Sequence, residues 1–129
     1  MNQEAEKIKS FTELIAWQEG HKLVLQVYEI SKQFPKEEQF GLTNQLRRAA
    51  VSITSNIAEG FSRNSYKEKL QFYSVSLGST TEVQNQLLIA RDLQYITEET
   101  FSKIAEQAVK VNKITNGLIK KTRAIILNS

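Results

Sequence analysis

The sequence holds no cysteine, one proline, one histidine and five glycines in 129 residues, and each scarcity closes something off. Without cysteine there is no disulfide framework, no thiolate metal site and no thiol nucleophile. With only His21, a multi-histidine metal centre is excluded as well. A single proline and few glycines leave little that would break a helix. No stretch approaches the roughly 18 consecutive apolar residues of a membrane-spanning helix, and "MNQEAEKIKS" at the start lacks the apolar core of a secretion signal. These absences lead to the expectation of a soluble, cytoplasmic protein with no membrane partner. Gly-rich phosphate loops, Walker patterns, zinc-ligand spacings and nucleophile elbows are also missing, so no cofactor is expected.

What is present suits one globular domain over residues 1–129: 40% hydrophobic and 24% charged residues, rich in Leu, Gln, Glu and Lys, which favour helix over sheet. Seventeen basic against 14 acidic residues give a formal net charge of +3. That balance mildly favours anionic partners without demanding one.

Hydrophobic periodicity divides the chain into four helices, approximately 12–34, 42–61, 66–95 and 98–127. In the first, Leu14, Ile15, Trp17, Leu23, Leu25, Val27, Tyr28, Ile30 and Phe34 recur mostly at three- and four-residue intervals and are expected on one buried face. Pro35 disfavours helical geometry at Phe34 and should end it there. "PKEEQFG" then reads as a single helical turn. In the second helix Leu42, Leu46, Ala49, Ala50, Ile53 and Ile57 fall within a stripe of about 100°, with Arg48, Ser52, Ser55 and Glu59 opposite. Ser65 with Glu68 forms a capping-box pattern for the third helix, and Thr97 before two glutamates suits the N-cap of the fourth. Four long helices on short connections predict an all-α fold, an antiparallel up-and-down four-helix bundle.

The third helix carries two apolar stripes. One contains Tyr66, Leu70, Tyr73, Leu77, Leu88 and Tyr95; the other contains Phe72, Val75, Val83 and Ala90 on roughly the opposite side. Either the core is wide, or the helix also faces a second subunit through a head-to-tail contact. Trp17, Tyr28, Tyr66, Tyr73 and Tyr95, at helical spacing with aliphatics, are expected mainly in the core, since base-stacking platforms need exposed aromatics in a basic groove.

Trp17-Gln18, Phe34-Pro35, Gly41-Leu42-Thr43, Gln45-Leu46-Arg47-Arg48-Ala49-Ala50, Ser55-Asn56-Ile57-Ala58-Glu59-Gly60 and Gly78-Ser79 occur in that order. In these motifs the chain, from about Phe11 to Ile96, resembles the four-helix-bundle proteins encoded in intervening sequences of bacterial 23S ribosomal RNA genes, the S23 ribosomal protein-like family. The resemblance implies an antiparallel bundle that assembles into a homopentameric ring. The fold also resembles accessory proteins of diversity-generating retroelements, which bind nucleic acid. Many relatives carry proline where this chain has Thr54, so a kink there should be absent or milder.

Candidate functional residues form two groups. Arg47 and Arg48 could grip phosphate through forked, charge-assisted hydrogen bonds, but with Asn56 and Glu59 they fit better as a polar motif that pairs with neighbouring helices or another subunit. Asn56 and Glu59 have no histidine, cysteine or lysine in their stretch to complete an acid–base pair, and Ser52 and Ser55 lack an activating base, so an enzyme is not expected. The second group is basic. From Lys103 to Arg123 lie Lys103, Lys110, Lys113, Lys120, Lys121 and Arg123 against Glu106 alone. Lys103, Lys110 and Lys120 are expected close to one line of the helix, with Lys113 beside them. Such a stripe is either a solvated face or, repeated around a ring, a surface that holds RNA or another nucleic acid by counterion release. A protein-interaction module without nucleic-acid contact is the alternative.

Overall fold

The structure, a computed structural model, describes residues 8–129; most of the stretch behind the expected lack of a secretion signal lies outside them. The helices are α1 (Ile15–Ser31), α2 (Leu42–Ser62), α3 (Tyr66–Asp92) and α4 (Glu98–Leu127). The first begins and ends inside its expected range. Ser10 caps a separate 3-10 turn, Phe11–Glu13, by accepting from Thr12 N at 3.2 Å. Leu14 is then extended, with φ −74° and ψ 130°, so the periodic apolar pattern spans a break that periodicity does not register. Ile15 and Leu25, expected on the buried face, are exposed. At the far end the helix stops at Ser31, ahead of Pro35, while Phe34 stays buried beyond it.

The expected single turn after Pro35 is a 3-10 turn at Lys36–Glu38, and it performs the capping that the sequence leaves vacant. Gly41 stands at the N-cap of α2 and has no side chain to offer. Glu38 substitutes: its Oε1 accepts from Leu42 N at 2.9 Å, and its Oε2 accepts from the Tyr95 hydroxyl at 2.8 Å. Both bonds favour the ionised carboxyl, the Leu42 amide most, and hold Glu38 below its ordinary range; the Tyr95 hydroxyl is raised by the same contact. A Cβ on Gly41 would come within 2.8 Å of Glu38 Oε1, so the glycine makes room for its own cap.

α2 runs unbroken through Thr54, whose hydroxyl donates to Val51 O at 3.2 Å. Leu46, Ala50, Ile53 and Ile57 are fully enclosed, each large aliphatic contributing on the order of 2 kcal/mol by removal from water. α3 packs most extensively against it. The buried line of α3 is Tyr73, Ser76, Thr80, Val83, Leu87 and Ala90, alternating spacings of three and four as a bundle seam requires. It passes between the two anticipated apolar stripes. They are the flanks of one wide seam whose centre is small and hydroxylated, not two opposed faces. Ser76 is fully buried and its hydroxyl donates to Ile53 O at 2.8 Å; the Ser52 and Ser79 hydroxyls share a bond of 2.8 Å. What remains of the stripes is exposed apolar surface at Val75 and Leu88.

Ser65 and Thr97 cap α3 and α4 as expected, accepting from Glu68 N and Thr100 N, each at 3.1 Å. α3 ends at Asp92, three residues early, because Gln94 takes a left-handed conformation (φ 62°). Tyr95 N then donates to Ala90 O at 2.9 Å and Gln94 N to Arg91 O at 2.9 Å, a Schellman closure that lacks its usual glycine. Each helix packs on its two sequence neighbours, α4 closing on α1, and the diagonals do not meet. The result is an antiparallel up-and-down four-helix bundle.

The expected aromatic core is only partly formed. Tyr73 is buried, which pushes its hydroxyl up to about 12. Tyr28 and Tyr66 are exposed: Tyr28 serves as the ring beneath Arg47 (4.6 Å), and Tyr66 opens α3, at the outer end of the bundle. Tyr73 fits because Gly60 faces it; a Cβ there would lie 2.7 Å from its ring. Gly60→Ala should therefore lower stability by roughly 1–3 kcal/mol, overriding the ~1 kcal/mol gain in helix propensity. Urea unfolding measures it; a variant more stable than wild type would refute the close packing.

Candidate nucleic-acid interface

α4 is the longest helix, at 30 residues against 17 in α1. Its inner seam is Ile104, Ala108, Val111, Thr115, Ile119 and Thr122, and Lys103, Lys110, Lys113, Lys120, Lys121 and Arg123 are all exposed. Their arrangement differs from the expected single line. Lys121, not Lys120, lies on the line of Lys103 and Lys110, because eighteen residues make about five whole turns and seventeen do not. Lys113 and Lys120 form a second line roughly a quarter-turn away.

Lys110 has a structural task. Glu19 of α1 receives Gln107 Nε2 on its backbone carbonyl and on Oε1, both at 2.9 Å, with Lys110 Nζ at 3.5 Å from Oε1 and Lys22 Nζ at 3.5 Å from Oε2. The Gln107 hydrogen bond, helped by the two ammonium groups, holds the Glu19 carboxyl below its ordinary value of 4.5 against a burial effect that would raise it. This cluster joins α4 to α1 and withdraws Lys110 from the basic face. It also fixes the register: Glu19, close to the start of α1, meets the middle of α4. The second half of α4 therefore continues past α1, taking Lys113, Lys120, Lys121 and Arg123 with it.

The other three helix pairs are each clasped by an arginine over an aromatic ring: Arg47 on Tyr28 between α2 and α1 (4.6 Å), Arg63 on Phe72 between α2 and α3 (4.6 Å), and Arg91 on Phe101 between α3 and α4 (4.8 Å). Arg47 Nε also donates to Ser31 Oγ at 2.8 Å. Its neighbour Arg48 projects between two open grooves and, among the described residues, forms no ion pair within 4.0 Å. The groove between α2 and α3 holds about 350 Å³ and brings Arg48 together with Asn44, Gln45, Ser52, Glu82 and Gln86. Asn56 and Glu59 are elsewhere. Asn56 Nδ2 donates to Ser52 O and Oγ, at 2.8 and 3.0 Å, and Glu59 lies 4.0 Å from Arg63 within its own helix. The polar motif is thus not gathered into one site.

Sequence reasoning missed Lys69. Its Nζ donates to Phe61 O at 2.7 Å and lies 3.4 Å from Gly60 O, closing the C-terminal end of α2, and burial lowers its affinity for a proton. Among the described residues no cluster of His, Cys, Asp and Glu could hold a metal ion, and no helix is long and apolar enough to cross a membrane. His21 stacks on Trp17 at 4.7 Å.

Residues 12–117 match the profile of a family described as 23S rRNA-intervening sequence protein. The chain belongs to this family. Its fold is shared by the crystal structure of a protein of unknown function from the S23 ribosomal protein family of Bacteroides thetaiotaomicron, with a TM-score of 0.77 at 20% identity, covering 82% of this chain and 99% of that one. No curated protein matches the chain. For this intervening-sequence protein the Glu19 cluster yields a pH test. A depressed carboxyl stabilises the fold above its ordinary value and ceases to do so as pH falls through the lower folded value. Glu19→Ala should cost about 1 kcal/mol at pH 7, and the gap to wild type should close as pH falls below 4.5. A gap that persists in acid would contradict the assignment.

Proposed function

We propose that this intervening-sequence protein is a non-enzymatic, homo-oligomeric scaffold or accessory factor of the cytoplasm, and that it holds ribosomal or other structured RNA by its phosphates. The observation that carries this reading is the concentration of exposed cations on one helix: Lys103, Lys113, Lys120, Lys121 and Arg123 are exposed on α4 with only Glu106 among them, while Arg47, Arg63 and Arg91 are engaged on aromatic rings. A mobile row of ammonium groups neutralises phosphate without reading sequence. Membership of a family named for 23S rRNA intervening sequences supports the choice of RNA.

The oligomer, a pentamer by family resemblance, is supported by apolar surface left over in one chain. An open groove of about 170 Å³ between α3 and α4 is lined by Leu87, Leu88, Phe101, Ala105 and Val109, with Val75 and Ile89 also exposed on α3. The same surface favours a second reading, a protein-interaction module that makes no contact with nucleic acid.

Retention on ribosomal RNA across a salt series separates the two. The RNA reading expects affinity to fall steeply with salt, by roughly 0.7–0.9 log units per tenfold increase in salt for each phosphate contact, and expects Lys113→Glu with Lys120→Glu to abolish retention while native mass spectrometry still shows the oligomer. Absent or salt-independent retention would overturn it.

A further inference from the structure

Beyond the start of α1, the flank of α4 beside its buried seam faces no fourth helix among the described residues. Leu118, Lys121 and Ile125 there border an open groove of about 190 Å³, completed by Phe61 at the end of α2 and by Tyr66, Lys69 and Tyr73 on the first turns of α3. Two of its side chains are cationic and none is acidic. Tyr66 is 45% exposed and Ile125 37%, whereas the Tyr73 ring is enclosed. The groove thus combines an accessible aromatic ring, apolar walls and two lysines, of which Lys121 is exposed.

We infer that this groove receives an unpaired base of single-stranded RNA, stacked on Tyr66, with a neighbouring phosphate on Lys121. The charge complementarity favours a polyanion over an apolar peptide. The aromatic ring favours a nucleotide with a free face over a duplex, whose bases are already stacked within the helix. Stacking on one aromatic is tolerant of base identity, so no strong sequence preference follows. The inference rests on the RNA reading above but adds to it: the lysines alone would not distinguish single strand from duplex, and Tyr66 would. Lys69 has a separate part, because its hydrogen bonds to Phe61 O and Gly60 O hold the end of α2 against the groove.

The test compares an unstructured oligouridine with an RNA duplex of equal phosphate number, at one salt concentration, against the intact protein and its Tyr66→Ala and Tyr66→Phe variants. Wild type should prefer the single strand. Tyr66→Ala should weaken oligouridine binding roughly fivefold or more and leave the duplex unchanged, and Tyr66→Phe should restore wild-type affinity. The Tyr66 ring protons should move upfield on adding oligouridine. Equal losses for both RNAs, or an unaffected Tyr66→Ala, would overturn the stacking site while leaving the α4 reading intact. No binding of either RNA by wild type would overturn both.

Discussion

The close approach of α2 and α3 is the constraint on which the rest of the bundle depends. Ala49, Ala50 and Ile53 are buried on one helix and Ser76, Ser79 and Thr80 on the other; the Ser76 hydroxyl bonds directly to the Ile53 carbonyl and Ser79 to Ser52. Helix axes come this near only when the side chains between them are small, and small hydroxylated residues are tolerated there because each finds an acceptor. Gly60 beneath Tyr73 extends the same contact to the end of the pair. α1 and α4 complete the bundle by packing on this central pair and on each other.

Three arginines and one carboxylate cluster link the helices of this frame. The guanidinium carbons of Arg47, Arg63 and Arg91 each stand 4.6–4.8 Å over an aromatic ring of the neighbouring helix, a use that suits a planar, weakly hydrated cation. The α4–α1 contact is different, a carboxylate gathering an amide and two ammonium groups. α1 is short, so the last turns of α4 outrun it, and the lysines there are exposed among the described residues. The candidate RNA surface is therefore a consequence of unequal helix lengths as much as of lysine content.

Much of this was legible in the sequence, and the exceptions have physical causes. α2 could be read almost residue by residue because Leu46, Ala50, Ile53 and Ile57 are at once apolar, periodic and buried. α3 was legible only in part: Ser76, Ser79 and Thr80 are small enough to signal a close approach, but which stripes are buried was not, since that polar centre is enclosed while Val75, Leu88 and Ile89 are exposed, which inverts the usual association of polarity with water. Its early end depends on Gln94 adopting a conformation that the sequence signals with glycine or asparagine. The basic character of α4 was plain from composition, but the withdrawal of Lys110 required Glu19, far away in the chain. Tyr66 read as a core aromatic and Lys69 gave no local signal, because the groove they share is built from the ends of α2, α3 and α4, far apart in sequence.

Ser76→Val tests the α2–α3 seam most directly: it adds bulk and removes the hydroxyl that bonds to the Ile53 carbonyl across the seam, beside Ser74→Val as an exposed control on the same helix. Urea unfolding should show Ser76→Val less stable by about 2 kcal/mol or more, with Ser74→Val within about 0.5 kcal/mol of wild type. A Ser76→Val protein as stable as wild type would contradict the claim that this small, hydrogen-bonded contact sets the bundle.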